Sequence, residues 1–186
     1  MTSQAIWSDT VMVSQIPETG LHREIVADEA VRAELARIGG LREVTEARGV
    51  FDLAHVGGER VRVTGRVTAR IGQTCVVTLD PMTAEIDEPI DLEFAPPEVA
   101  ETQAKAASHG SDDDDQPEPP ETIANGTIDL GELAAEYLFL GVDPYPRKPG
   151  AVFEAPNTPP DPEDHPFAAL KALKARSGAG DGEGNS

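Results

Sequence analysis

Several residue types that define common protein classes are scarce in this chain of 186 residues. It contains 1 Cys and 1 Trp, and only 4% of its residues are aromatic. A single cysteine excludes an internal disulfide framework and agrees with a reducing compartment. No apolar run approaches the roughly 20 residues that span a bilayer, and the first residues, MTSQAIWSDT, lack the features of a signal peptide. We therefore expect a cytoplasmic protein without membrane contact.

Positive charge is also scarce, and it is unevenly distributed along a chain whose formal net charge is −19. Residues 1–80 carry 9 Arg, no Lys and 11 Asp or Glu, whereas residues 81–186 carry 6 Lys or Arg and 23 Asp or Glu. Affinity for nucleic-acid phosphates comes largely from clustered Lys and Arg side chains. The composition therefore excludes a protein that coats nucleic acid nonspecifically, and it confines the acidity to the C-terminal part.

Two amphipathic helices are indicated within a single α+β domain that we expect over residues 1–153. Apolar residues recur at spacings of three and four after Asp28, an N-cap residue, which predicts a short helix over residues 29–38. Asp129 is a second N-cap, and a broad apolar stripe follows it until Gly141. We expect this longer helix, residues 130–140, to pack on the apolar face of a sheet.

A β-hairpin is the most clearly indicated part of that sheet. Residues 41–56 and 59–71 are rich in strand-forming side chains and are separated by Gly57-Gly58. In the second strand apolar residues alternate with Arg and Thr, as one buried face requires. A three-residue loop with a bulge at Gly57-Gly58 keeps the apolar side chains of both strands on one face. The expected pairs are Phe51 with Val63, Asp52 with Arg62 and Leu53 with Val61.

Shorter patterns complete an antiparallel sheet of about four to six strands. A short edge strand is expected from Val11 to Ile16, where Pro17 ends it. Alternation predicts two further strands, one with Cys75, Val77 and Leu79 and one with Ile90, Leu92 and Phe94.

Two segments have the composition of disordered chain. Residues 96–122 contain the run Asp112 to Asp115 and almost no large apolar side chain, so we expect a disordered acidic loop within the domain. Residues 154–186 read as a Pro-rich acidic linker, a short tail helix over 166–176 and a flexible C-terminus.

The arginine row, which consists of Arg60, Arg62, Arg66 and Arg70, is the main candidate site. Four guanidinium groups on one strand face can meet phosphates spaced along RNA. The alternative is a solvated face whose arginines pair with carboxylates of the neighbouring strand, and no aromatic residue is interleaved to stack bases. The expected carboxylate partners are Glu43, Glu46 and Asp52.

A second candidate surface is the Pro-stiffened loop DPYPRKPGA, where Tyr145 and Arg147 can contact a partner. Packing of Tyr145 over the helix end is the alternative. We predict no metal site and no cofactor, because the four His residues lack ligand spacing and Cys75 reads as a small buried residue. No catalytic signature occurs, so we do not expect an enzyme.

Three segments in this order resemble the YceD family, catalogued as a domain of unknown function. The first runs from Cys75 to Phe94-Ala95-Pro96, with Thr78 where relatives commonly have a second cysteine. The second is the helix that opens at Ile128-Asp129-Leu130 after an acidic loop. The third is Pro166-Phe167-Ala168 with its following leucines. The segments QTCVVTLDPM and DPYPRKPGA look like the alphaproteobacterial branch.

The resemblance implies a non-enzymatic accessory factor for accumulation or processing of large-subunit (23S) ribosomal RNA and for ribosome assembly. Its expected partner is a ribosomal RNA precursor, a ribosomal protein or a processing nuclease. The alternative is an acidic adaptor that binds a basic ribosomal protein or nuclease through the acidic loop and tail helix, without direct RNA contact. The oligomeric state stays open.

Overall fold

The expected hairpin forms the centre of a five-stranded sheet in the computed structural model, which describes residues 6–109 and 119–153 (backbone alone for 104–109). The elements are β1 (Thr10–Met12), β2 (Leu21–Val26), α1 (Glu29–Ile38), β3 (Glu43–Gly57), β4 (Arg60–Thr74), β5 (Pro81–Ala95), α2 (Pro97–His109), β6 (Glu121–Thr122), β7 (Thr127–Asp129) and α3 (Leu130–Leu140). The main sheet has the order β2-β3-β4-β5-β6 and is antiparallel except for the pair β5-β6. The predicted α+β class is confirmed.

The two predicted helices have the expected bounds because an aspartate side chain caps the N-terminus of each. The Asp28 carboxylate accepts a hydrogen bond from the Val31 N–H at 2.8 Å, and α1 begins at Glu29. The Asp129 carboxylate accepts from the N–H groups of Gly131 and Glu132, and α3 begins at Leu130. Each carboxylate satisfies N–H groups that have no partner within the first helical turn.

The hairpin has the predicted faces but a different register. A bulge lies between His55 and Gly57, and the turn itself is formed by Gly58 and Glu59, with φ of 60° and 61°. Two successive residues with positive φ give the backbone twist that a two-residue hairpin turn needs. The predicted pairs are therefore wrong by two positions, while the alternation is right because a shift of two preserves the faces. The observed pairs are Phe51 with Gly65, Asp52 with Thr64 and Leu53 with Val63.

The strand predicted over Cys75, Val77 and Leu79 is wrong, because β4 continues to Thr74 and a tight turn follows. The Cys75 N–H donates to the Asp80 carbonyl and the Leu79 N–H donates to the Cys75 carbonyl, both at 2.9 Å. Leu79 has a φ of 60° and is 75% exposed. Three alternating apolar residues were too short a pattern to distinguish a strand from a turn.

Near the N-terminus the strand predicted from Val11 to Ile16 is shorter than expected and lies outside the main sheet, and a second strand was missed. β1 pairs with β7 in a separate two-stranded sheet, and a 3-10 turn over Val13–Gln15 ends it before Pro17. The missed strand is β2, which pairs with β3 at the edge of the main sheet. Its polar sequence, LHREIV, places only Ile25 fully in the core.

The expectation of a disordered loop over residues 96–122 is wrong at both ends. Residues 97–109 form α2, where Ala100 is buried, and residues 121–122 form β6 beside the end of β5. Alanine and glutamate are strong helix formers even where few large side chains are available. The acidic run 112–115 and the predicted tail helix 166–176 lie outside the described residues.

Helix α3 covers the inner face of the sheet. Its buried residues Leu133, Ala134 and Leu138 belong to the same core cluster as Phe51 and the apolar side chains of β4. The chain divides into a compact unit over Met1–Ala151 and a second unit over Val152–Ser186, of which only Val152 and Phe153 are described. None of the described helices is long and apolar enough to span a membrane.

Candidate functional site

The arginine row lies on the outer face of the sheet, opposite a row of carboxylates on β5. Arg62 makes a bidentate contact with Asp91, with N–O distances of 2.7 and 2.6 Å. Arg60 reaches Glu93 at 2.8 Å, Arg70 reaches Glu85 at 3.0 Å, and Arg66 pairs with Asp87. Every arginine of the predicted site thus has an acidic partner within its own sheet.

These partners are not the carboxylates that we expected from the sequence. Asp52 of β3 instead accepts a hydrogen bond from His22 at 2.7 Å, and Arg48 pairs with Glu24 at 2.8 Å. The prediction was wrong because β4 has a second antiparallel neighbour, β5, whose register places acidic side chains beside the arginines.

Electrostatics on the outer face follow from this arrangement. The hydrogen bond and charge of Asp91 raise the pKa of Arg62, and the hydrogen bond from Arg62 holds the pKa of Asp91 below its ordinary value. The register and the alternation of side chains put five arginines and eight carboxylates on this face, so negative charge exceeds positive. The arginines are Arg48, Arg60, Arg62, Arg66 and Arg70, and the carboxylates are Glu24, Glu43, Glu46, Asp52, Glu85, Asp87, Asp91 and Glu93.

The second predicted surface is a turn–loop patch, formed by the turn 75–80 and the loop 143–150. The Val76 N–H donates to the Pro146 carbonyl at 2.9 Å, and the Gln73 side chain donates to the Asp143 carbonyl at 2.8 Å. The Lys148 ammonium group pairs with Asp80 at 3.2 Å. Two segments that the sequence suggested separately are therefore joined in space.

Tyr145 is the most prominent aromatic side chain of this patch. It is 71% exposed, so the alternative in which it packs over the helix end is wrong. Arg147 is also exposed, while Pro146 between them is buried and anchors the loop. With the exposed Leu79 on the adjoining turn, the patch presents apolar and cationic groups to solvent.

Cys75 connects the turn and the loop of the turn–loop patch beneath its surface. It is fully buried, as predicted, and its sulfur accepts hydrogen bonds from the N–H groups of Thr78 at 3.5 Å and Lys148 at 3.4 Å. The hydrogen bond from the Thr78 side chain, followed by those from backbone N–H groups, lowers the thiol pKa to about 6 although burial opposes ionisation. Among the described residues, no group of three His, Cys, Asp or Glu side chains is placed so that it could hold a metal ion.

An acidic groove, which sequence reasoning missed, lies beside the last residues of β5. Its cavity of about 640 Å³ has Leu92, Phe94, Leu133 and Tyr137 among its walls and Glu121, Glu132 and Glu136 at its rim. Burial raises the pKa of Glu136, and the nearby charges of Glu132 and Glu121 raise it further. Two glutamates four residues apart on α3 were the sequence signal, but only the fold brings Glu121 to them.

A family model described as large ribosomal RNA subunit accumulation protein YceD matches residues 63–174, which is more than half of the chain. The matched region runs from β4 into the C-terminal residues, so it contains Arg66 and Arg70 of the arginine row, the turn–loop patch and most of the residues that line the acidic groove. Neither the curated proteins nor the solved structures include a significant match. The alphaproteobacterial branch stays a prediction. The chain belongs to the YceD family of large ribosomal RNA subunit accumulation proteins.

Proposed function

We propose that this protein is a non-enzymatic accessory factor for large-subunit (23S) ribosomal RNA accumulation and ribosome assembly, and that it binds a basic protein partner. Family membership supports the connection with large-subunit ribosomal RNA. A ribosomal protein or a processing nuclease would supply the positive charge that this chain lacks. The role is that of the adaptor rather than of a direct RNA-binding protein.

The pairing of the arginine row with the β5 carboxylates is the observation that favours binding of a basic protein over direct binding of RNA. A phosphate that approached Arg62 would have to displace Asp91 from both guanidinium contacts and would remain close to its negative charge. The same holds at Arg60, Arg66 and Arg70, each of which has its own carboxylate. Affinity for RNA rises with the number of phosphates that protein cations neutralise. In this sheet the β5 carboxylates already neutralise the four arginines of the row.

An affinity pull-down with the tagged full-length chain, with and without ribonuclease, tests the proposal. We expect the partner to remain bound after ribonuclease treatment and to dissociate as salt is raised, because a contact between opposite charges is screened. Loss of the partner on ribonuclease treatment would show that RNA bridges the complex and would refute the adaptor mode.

A charge-balanced variant tests the arginine row itself. Arg62→Gln combined with Asp91→Asn removes one cation and one anion, so the net charge of the outer face is unchanged. We expect RNA crosslinking in cells to equal that of the wild type. The single change Arg62→Gln is the comparison, because it removes the same guanidinium group but leaves the Asp91 charge in place, so the difference between the two variants reports the effect of that negative charge. Reduced crosslinking in the balanced variant would show that Arg62 contacts RNA directly.

A further inference from the structure

The outer-face carboxylates of β5 and those of the acidic groove differ in whether the chain provides them with a counter-charge. On the outer face, each of the four acidic residues of β5 pairs with an arginine of β4. In the groove, Glu121, Glu132 and Glu136 form no ion pair with any Lys or Arg side chain that the structure describes. Negative charge is therefore uncompensated at one place that is also concave.

The groove combines this charge with apolar walls. Leu92, Phe94 and Tyr137 are only partly buried and line the same cavity as the three glutamates. Asp129 lies at one end, but its oxygens already accept hydrogen bonds from Ser8 and from backbone N–H groups. A ligand that fits must place cations at the rim and apolar side chains against the walls, which a small inorganic cation does not do.

We infer that the acidic groove is a docking site for a peptide segment in which lysine or arginine residues alternate with apolar ones. This inference rests on the proposed function, since such a segment would belong to the basic protein partner. The cations of the segment would face Glu121, Glu132 and Glu136, and its apolar side chains would contact Leu92 and Phe94. The raised pKa of Glu136 agrees with this, because crowded carboxylates without a cation are the groups that a bound cation stabilises most.

The probe for the test is a fluorescein-labelled nonapeptide in which lysine alternates with valine, titrated with the full-length protein in fluorescence anisotropy at physiological salt. Glu132→Gln combined with Glu136→Gln removes two groove charges from exposed positions without changing side-chain size. We expect the dissociation constant to rise about fivefold, which is the scale of two exposed ion pairs. The matched control, Glu18→Gln combined with Glu59→Gln, removes two exposed charges elsewhere and should change the dissociation constant by less than about twofold.

Two further peptides make the result specific. Serine in place of valine should weaken binding because the wall contacts are lost, and glutamate in place of lysine should abolish it. The inference would be overturned if the groove variant and the control lost affinity equally, or if the serine peptide bound as tightly as the valine peptide. Either result would mean that the peptide is attracted nonspecifically by negative charge.

The proposed function and this inference can fail independently. If ribonuclease releases the cellular partner while the peptide still binds the groove as expected, the adaptor proposal fails and the groove stands. If the partner survives ribonuclease and the groove variant retains it with wild-type yield, the adaptor proposal stands and the groove is not its docking site.

Discussion

Removal of the Asp129 side chain should destabilise the protein more than removal of the other helix N-cap, Asp28. Both aspartates cap helices, but only Asp129 also holds the N-terminal segment. Its carboxylate accepts hydrogen bonds from the Ser8 hydroxyl at 2.6 Å and from the Asp9 N–H at 2.9 Å, in addition to the two helical N–H groups. Asp28 accepts one helical N–H and has no described contact to a distant segment.

The expected magnitudes follow from these contacts. Asp28→Ala removes an N-cap, which costs about 1 kcal/mol of unfolding free energy. Asp129→Ala removes a cap of the same kind and the hydrogen bonds from Ser8 and Asp9, each of which contributes about 0.5–1 kcal/mol at a partly exposed site. The longer contact from the Thr10 hydroxyl, at 3.4 Å, adds little. We therefore expect Asp129→Ala to cost about 2–3 kcal/mol, or about 1–2 kcal/mol more than Asp28→Ala.

The cost of Asp129→Ala should also depend on pH. Burial by itself would raise the pKa of Asp129, but the hydrogen bonds from Ser8 and from backbone N–H groups outweigh it, so the pKa lies below its ordinary value. A carboxyl group of this kind stabilises the fold fully above its unfolded pKa of about 3.9, and this contribution is lost as the pH falls through the folded pKa. The difference from wild type should be constant from pH 7 to about pH 5 and should shrink below about pH 4.

Urea unfolding of the wild type and both variants, followed by circular dichroism at several pH values, measures these free energies. Equal m-values would show that the variants unfold the same structure. The reasoning is refuted if Asp129→Ala costs no more than Asp28→Ala at pH 7, or if its cost does not change between pH 7 and pH 3.

Three further predictions concern other parts of the chain. Gly65→Ala should destabilise by about 2 kcal/mol in the same assay, because the added Cβ would overlap the Val50 carbonyl oxygen of the neighbouring strand. A neutral effect would mean that β3 and β4 move apart at no cost in free energy. Cys75 should react slowly with a thiol reagent at pH 7.5 in the folded protein and quickly in urea, since burial limits access despite the low pKa; fast native reaction would contradict its enclosure. Tyr145→Ala combined with Arg147→Ala should change the unfolding free energy by less than about 0.5 kcal/mol relative to the wild type, because both side chains are exposed. A lower recovery of the partner in the pull-down would show that the turn–loop patch contributes to the interface.

Local sequence patterns predicted those helices and strands that are specified by residues close together in the chain. The caps at Asp28 and Asp129 and the alternation in β4 are such patterns, and the bounds of α1 and α3 and the buried face of the hairpin were predicted from them. The turn at Cys75–Asp80 was not, because its identity depends on bonds to the distant loop at Pro146 and Lys148. The strand β2 was missed for a similar reason, since its polar side chains carry no strand signal and its pairing with β3 holds it in place.

The sequence by itself determined the α+β class, the family and the positions of the arginines, because spacing and motifs encode them directly. Tertiary structure alone decided what those arginines do. The register of β5 against β4 places a carboxylate beside each member of the row, whereas the return of the chain at β6 brings Glu121 to Glu132 and Glu136 without a cation. The net charge follows from the composition, but binding depends on which charged side chains have no counter-charge beside them in the folded protein.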